Sequence, residues 1–73
     1  MGKRKGGEIP LLAIERIIKL SGANRASYEA KLKLREILEE IGYNISVKAI
    51  KIAEHSKRIT IRAEDIKLVI EDK

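Results

Sequence analysis

Cysteine, tryptophan and phenylalanine are absent from this 73-residue chain, and proline, methionine and histidine occur once each. Without cysteine there are no disulfides and no thiolate metal sites, a composition that fits a reducing compartment. Tyr28 and Tyr43 are the only aromatics, so the core must be aliphatic. The same scarcity removes the stacking platforms of many single-strand and RNA binders, which steers any nucleic-acid partner toward duplex backbone. No run approaches the ~18 apolar residues of a membrane span, and no signal-peptide pattern is present. A Met-Gly start does not make a myristoylation signal here, because position 6 is Gly6 rather than Ser or Thr. The expectation is a soluble, cytoplasmic protein with no membrane partner. Catalysis finds no support either: His55 stands alone, and Glu39 and Glu40, adjacent on a helix, point about 100° apart instead of converging on a substrate. No cofactor or metal is expected.

What is present is a long helical repeat. Tyr28 to Ser56 contains no proline and a single glycine, Gly42. Ala30, Leu34, Ile37, Leu38, Ile41, Ile45, Ala49 and Ile52 recur at steps of three and four, the spacing that keeps side chains on one stripe. Ser27 stands before it as an N-cap, and Glu29 sits in the first turn, where the helix dipole favours a negative charge. At ~1.5 Å per residue this helix is roughly 43 Å long, more than a globule of this size needs across. Leu32, Val47, Ile50 and Ala53 lie off the main stripe, and Ile50 and Ile52 point about 200° apart. A helix apolar on more than one side needs more cover than two short flanking segments provide, so the pattern predicts an obligate dimer.

Sixteen basic against eleven acidic residues give a net charge of +5. A polyanion is the natural partner of such a surface. A solvated, salt-bridged exterior is the competing reading, and Glu15 with Lys19 at i,i+4 fits it.

In chain order, Met1 to Gly7 is a basic, glycine-rich tail, either an electrostatic arm or a solubilising end, and residues 8–73 form the folded domain. Pro10 suits the first position of a helix that runs to about Ser21 and ends at Gly22. Leu11, Ile14, Ile17 and Ile18 form its apolar face, leaving Arg16 and Lys19 for solvent or ligand. Gly22 to Ser27 is a compact loop carrying Arg25. After the long helix, Lys57 to Arg62 alternates, with Arg58, Thr60 and Arg62 facing one way and Ile59 and Ile61 the other if the segment is extended. It is too short to stand as a strand without a partner strand, which the first loop could supply. Ala63 to Lys73 is a short helix with Glu64 and Asp65 in its first turn and Ile66, Val69 and Ile70 on its core face. Leu68 points away from that face.

Short helix, basic loop, long helix, basic loop, short helix: with the residues that fill this order, the chain resembles the archaeal histones. The resemblance runs from about Glu8 to Ile70. It is carried by IERIIK (Ile14 to Lys19), GANR (Gly22 to Arg25), ILEEIG (Ile37 to Gly42), AIKIAEH (Ala49 to His55) and RITIRAEDI (Arg58 to Ile66). It implies an all-α histone fold and a head-to-tail handshake dimer, in which the long helices cross and the first loop of one chain lies beside the second loop of the other. The partner chain is a second copy or a paralogue. By the same resemblance the protein binds, wraps and compacts double-stranded DNA without sequence preference and is associated with the chromosome. Phosphates are held by Arg16, Lys19, Arg58, Arg62 and helix N-termini, Thr60 lies close to Arg25, and Arg25 enters the minor groove. Histones wrap duplex DNA in this manner, through backbone and minor-groove contacts and without reading bases.

The resemblance also implies higher oligomers on DNA. His55 and Asp65, with Ile52 and Leu68 as the apolar part, join dimer to dimer through a four-helix bundle, while Gly22, as a small residue, lets successive turns of the resulting rod stack. Capping of its own helix is the alternative role for His55, and pairing with Arg58 inside the chain is a further role for Asp65. A regulatory subunit that acts in transcription through a heterodimer is the rival reading within the same fold. The chain departs from the usual family pattern in three respects. Ile59 stands where a basic residue is common and Lys57 where glycine is frequent. Tyr28 and Tyr43 replace more polar residues. The basic extension lies at the N-terminus, and the C-terminus ends in Glu71, Asp72 and Lys73.

Overall fold

The computed structural model describes residues 7–71, which form three helices, α1 (Leu11–Leu20), α2 (Tyr28–His55) and α3 (Ala63–Glu71). The class is the expected all-α, short-long-short. The expected tail lies outside the described residues except for Gly7. The chain divides into two compact units, Met1–Glu40 and Ile41–Lys73, so α2 contributes its first half to one and its second half to the other.

In the first unit α1 starts one residue later than the proline rule suggests. Pro10 is the N-cap, with φ −61° and ψ 139°, and its carbonyl accepts from the N–H groups of Ala13 and Ile14. Its extended ψ keeps it outside the helix, so the fixed proline φ serves the entry to α1 and not its first turn. At the other end the Ser21 N–H donates to Ile17 and Ile18, and the Gly22 N–H donates to Lys19. Gly22 has φ +112°, the left-handed conformation in which glycine terminates a helix without a Cβ penalty. Ile14 is completely buried, Leu11 and Ile18 are half-buried, and Ile17 is 49% exposed, although all four occupy the apolar face. Ser27 caps α2 as expected, its Oγ accepting from the Ala30 N–H at 3.1 Å.

In the second unit the buried apolar residues of α2 are Ala49 and Ala53, one turn apart. The helix ends at His55, not Ser56, in a Schellman turn: the Arg58 N–H donates to the Ala53 carbonyl and the Lys57 N–H to that of Glu54, both at 2.9 Å. The left-handed position of this turn falls on Lys57, at φ +60°. The expected alternation of Lys57 to Arg62 is not found. No strand occurs among the described residues, Arg58 turns inward, and Ile59 is fully exposed. The physical reason is a carboxylate: Asp65, in the first turn of α3, draws the Arg58 guanidinium out of the face it was expected to share with Thr60 and Arg62.

Large apolar side chains remain uncovered in both units. Leu12, Ile17, Leu20, Ile37, Ile41, Ile50, Leu68 and Ile70 are each exposed by 43% or more. Ile37 and Ile41, centre-stripe residues of α2, are among them, whereas the buried apolar residues are one isoleucine and two alanines. That is too small a core to offset the conformational entropy of ordering the chain.

Candidate nucleic-acid interface

The first unit carries three of the expected contact residues. Arg16 and Lys19 are exposed on α1 and Arg25 is exposed in the loop after it. No carboxylate among the described residues pairs with Arg16 or Arg25. Lys19 differs: its Nζ lies 3.3 Å from the Glu15 carboxylate, which also takes the Lys31 ammonium at 3.6 Å. The hydrogen bond from Lys19, then the charge of Lys31, lowers the Glu15 pKa below its ordinary value. Such exposed pairs are weak and open readily to a stronger anion. Gly22 is exposed, and a Cβ built there would meet nothing within 4 Å, so its backbone conformation is what calls for glycine.

The second unit carries Arg58, Thr60 and Arg62, and here the side chains are unequal. Thr60 and Arg62 are exposed, with Arg62 only loosely paired to Glu64 at 4.0 Å. Arg58 grips Asp65 with both terminal nitrogens, Nη2 to Oδ1 at 2.9 Å and Nη1 to Oδ2 at 3.0 Å, while Nη1 also donates to the Thr60 carbonyl at 3.1 Å. Asp65 Oδ2 additionally accepts from the Arg62 N–H at 2.8 Å, so the carboxylate reaches back to cap α3. Asp65 is 1% exposed. The Arg58 guanidinium, then the Arg62 N–H, lowers its pKa from 3.8 to about 2, and the pairing raises that of Arg58. The Arg58–Asp65 pair fixes the shape of the loop that presents Thr60 and Arg62.

Of the residues expected at a dimer-to-dimer contact, Ile52 and Leu68 line one groove of about 660 Å³ within the second unit, together with Val69, Lys48, Lys51 and Glu71. His55 is exposed at the end of α2 and is not part of that lining. Asp65 Oδ1 accepts a single bond, from Arg58, and so keeps acceptor capacity for another donor.

One cluster had no signature in the sequence. The Glu39 carboxylate accepts from the Gly7 N–H, at 3.0 and 3.2 Å to its two oxygens, and from the Ile9 N–H at 2.7 Å. Arg35, one turn earlier on α2, donates to the Ile9 carbonyl at 3.4 Å. The N–H of Ile9 above all, then those of Gly7 and Glu8, lowers the Glu39 pKa below the ordinary carboxylate value. Its partners are backbone groups 30 and 32 residues away, which leave no trace in side-chain patterning. Among the described residues no group of three His, Asp or Glu side chains could hold a metal ion, and no helix is long and apolar enough to cross a membrane.

Residues 7–70 match a family model described as histone-like transcription factor (CBF/NF-Y) and archaeal histone. The chain is similar to the archaeal histone HAN1 of Thermococcus zilligii, at 40% identity over 63 residues that cover 86% of this chain and 94% of that protein. It is similar to the same extent, 40% over 63 residues with the same shares covered, to probable archaeal histone 3 of Methanocaldococcus jannaschii.

Proposed function

The chain belongs to the family of histone-like transcription factors and archaeal histones, and from that premise we propose that it is a chromatin protein that binds, wraps and compacts double-stranded DNA without sequence preference. The observation that carries this reading is the exposure of Arg16 and Arg25, free of any described carboxylate, in a chain of net charge +5. Cations held ready in this way suit a phosphate backbone, and the family's minor-groove arginine corresponds to Arg25. Lys19 joins them by exchanging Glu15 for phosphate. Thr60 and Arg62 act from the second loop, with Arg58 as its brace and as a contact through the outer edge of its guanidinium. The first turn of α1, whose N-cap Pro10 makes no side-chain cap, adds unbonded backbone N–H groups.

The unit that binds is a handshake dimer with a net charge of 2 × 5 = +10, its second chain covering apolar side chains such as Ile37 and Ile41. Dimers then join end to end through Ile52, Leu68 and His55, with Asp65 receiving His55 on its remaining acceptor site. A self-complementary contact present at both ends of a dimer, and not closing into a ring, generates an open rod around which DNA wraps, Gly22 allowing close stacking of its turns. The protein is accordingly placed on the chromosome, in the nucleoid, and has no enzymatic role.

Titration with random-sequence duplex DNA at several salt concentrations tests the binding. If a dimer meets ~6 to 10 phosphates, the logarithm of affinity falls against the logarithm of salt with a slope of roughly −0.9 per contact. Arg16→Ala then weakens binding to all sequences alike. A slope near zero, or strong preference for one short site, contradicts packaging. Nuclease digestion of saturated complexes tests the rod: wild type gives a ladder of protected lengths rising by a constant step, which His55→Ala with Leu68→Glu shortens while the dimer stays folded. A single dimer-sized length from wild type contradicts it.

The second reading is a regulatory protein that acts in transcription through a heterodimer, and it is favoured by the family description, which spans transcription factors and histones. It predicts that this chain alone binds random DNA weakly and gains affinity only with a paralogue.

A further inference from the structure

The Glu39 cluster serves no need of α1. That helix is entered through the Pro10 carbonyl and buries Ile14, neither of which involves Glu39. What the carboxylate holds is the chain immediately before it: the N–H groups of Gly7 and Ile9 converge on its two oxygens, and Arg35 takes the Ile9 carbonyl from the same helix face. Gly7 makes this convergence possible. Its φ of +108° is one that L side chains rarely adopt, and no neighbouring atom lies closer than 4.0 Å to the place of a Cβ, so backbone conformation and not space requires glycine. Directly upstream stand Lys3, Arg4 and Lys5.

We propose that Glu39, Arg35 and Gly7 form an anchor that fixes where the basic N-terminal arm leaves the protein, delivering Lys3, Arg4 and Lys5 to the duplex bound by the α1 surface. The proposal rests on the DNA-binding reading above. Six residues span at most ~20 Å, whereas Arg16 and Lys19 lie only ~8 to 12 Å along α1 from its start. An arm released at Gly7 therefore reaches the same stretch of backbone that they hold. Anchoring contributes through effective concentration. Without it, residues 7–9 join the free segment, which lengthens from six to nine residues, and effective concentration falls about as the −3/2 power of length. That is about twofold for each arm, and about three- to fourfold for a dimer with two arms.

The sign separates this role from bulk electrostatics. Removing the negative charge of Glu39 strengthens binding to a polyanion if charge alone matters, whereas loss of the anchor weakens it. Gly7→Ala breaks the anchor with no change of charge.

The test uses the full-length protein and random-sequence duplex DNA at low salt, comparing wild type, Gly7→Ala, Glu39→Ala, the arm variant Lys3→Gln/Arg4→Gln/Lys5→Gln, and each anchor variant combined with the arm variant. Circular dichroism and sedimentation establish that each is folded and of wild-type mass, and the anchor is probed from both sides in case one variant does not fold. The anchor variants are expected to weaken binding about three- to fourfold in the full chain and to have no effect once the arm is uncharged. Unchanged or tighter binding by folded Gly7→Ala and Glu39→Ala overturns the proposal, as does a loss of the same size in the uncharged-arm background. Failure of wild type itself to bind duplex DNA overturns the functional reading and this proposal together. Wild-type binding that is indifferent to the anchor overturns this proposal alone.

Discussion

The two units of the chain are held by different forces. The first closes around a large apolar side chain, Ile14, and ties its entry segment to α2 through a carboxylate at the surface. The second buries only alanines, Ala49 and Ala53, on α2, and beside them an ionised pair, with Asp65 1% exposed and 21% of the Arg58 side chain exposed. Small side chains allow close packing but contribute little burial, so directed polar bonds carry much of the second unit. It follows that the first unit is sensitive to side-chain volume and the second to protonation.

The largest expected effect is on volume. Ile14→Ala removes the one large apolar residue that is fully buried, and is expected to cost about 2 to 5 kcal/mol in urea denaturation. A cost below ~1 kcal/mol shows that the site collapses and that the first unit is not organised around it.

Protonation separates the units next. The Asp65 pKa is lower in the folded chain, about 2, than the 3.8 of an unperturbed aspartate. Its stabilising contribution is therefore complete above 3.8 and is lost as pH falls from there through about 2. Asp65→Asn is expected to lower stability at neutral pH and to flatten the dependence in that acid window, measured by denaturation between pH 5 and 2. The Glu39 and Glu15 shifts have the same sign, so the variant retains a shallower acid loss from the first unit. An Asn variant with the full wild-type acid dependence places the sensitivity outside the second unit.

The smallest effect is a gain. Lys57 occupies the left-handed position of the Schellman turn, where a Cβ is unfavourable by roughly 1 kcal/mol. Lys57→Gly is expected to raise the denaturation midpoint by an amount equivalent to about 0.5 to 1 kcal/mol. No gain means that another interaction of Lys57 offsets the strain.

How far the fold could be read from the sequence follows the same division. Apolar periodicity and the cap residues located α1, α2 and α3 to within a residue or two, because Ser27, Gly22 and the acidic first turn of α3 act locally. Pro10 was misplaced by one position since proline suits both the N-cap and the first turn, and only ψ distinguishes them. The alternation of Arg58, Thr60 and Arg62 misled because a pattern does not register one carboxylate seven residues downstream. Exposure of Arg16, Lys19 and Arg25 was legible from the helix face and the loop. The Glu39 anchor was not, since backbone N–H groups have no residue identity to read. Ile37, Ile41 and Ile50 were read as needing a second chain, and their exposure is the observation that keeps this requirement standing.

The most direct test of the account is the denaturation midpoint as a function of protein concentration, with mass measured by sedimentation on the same samples. If folding and pairing are one event, the protein is a dimer at micromolar concentration, and each tenfold rise in concentration stabilises it by about 1.4 kcal/mol. The midpoint then rises steadily, and no folded species of monomer mass is seen at any dilution. A midpoint independent of concentration, in a folded chain of 8.2 kDa, contradicts the account.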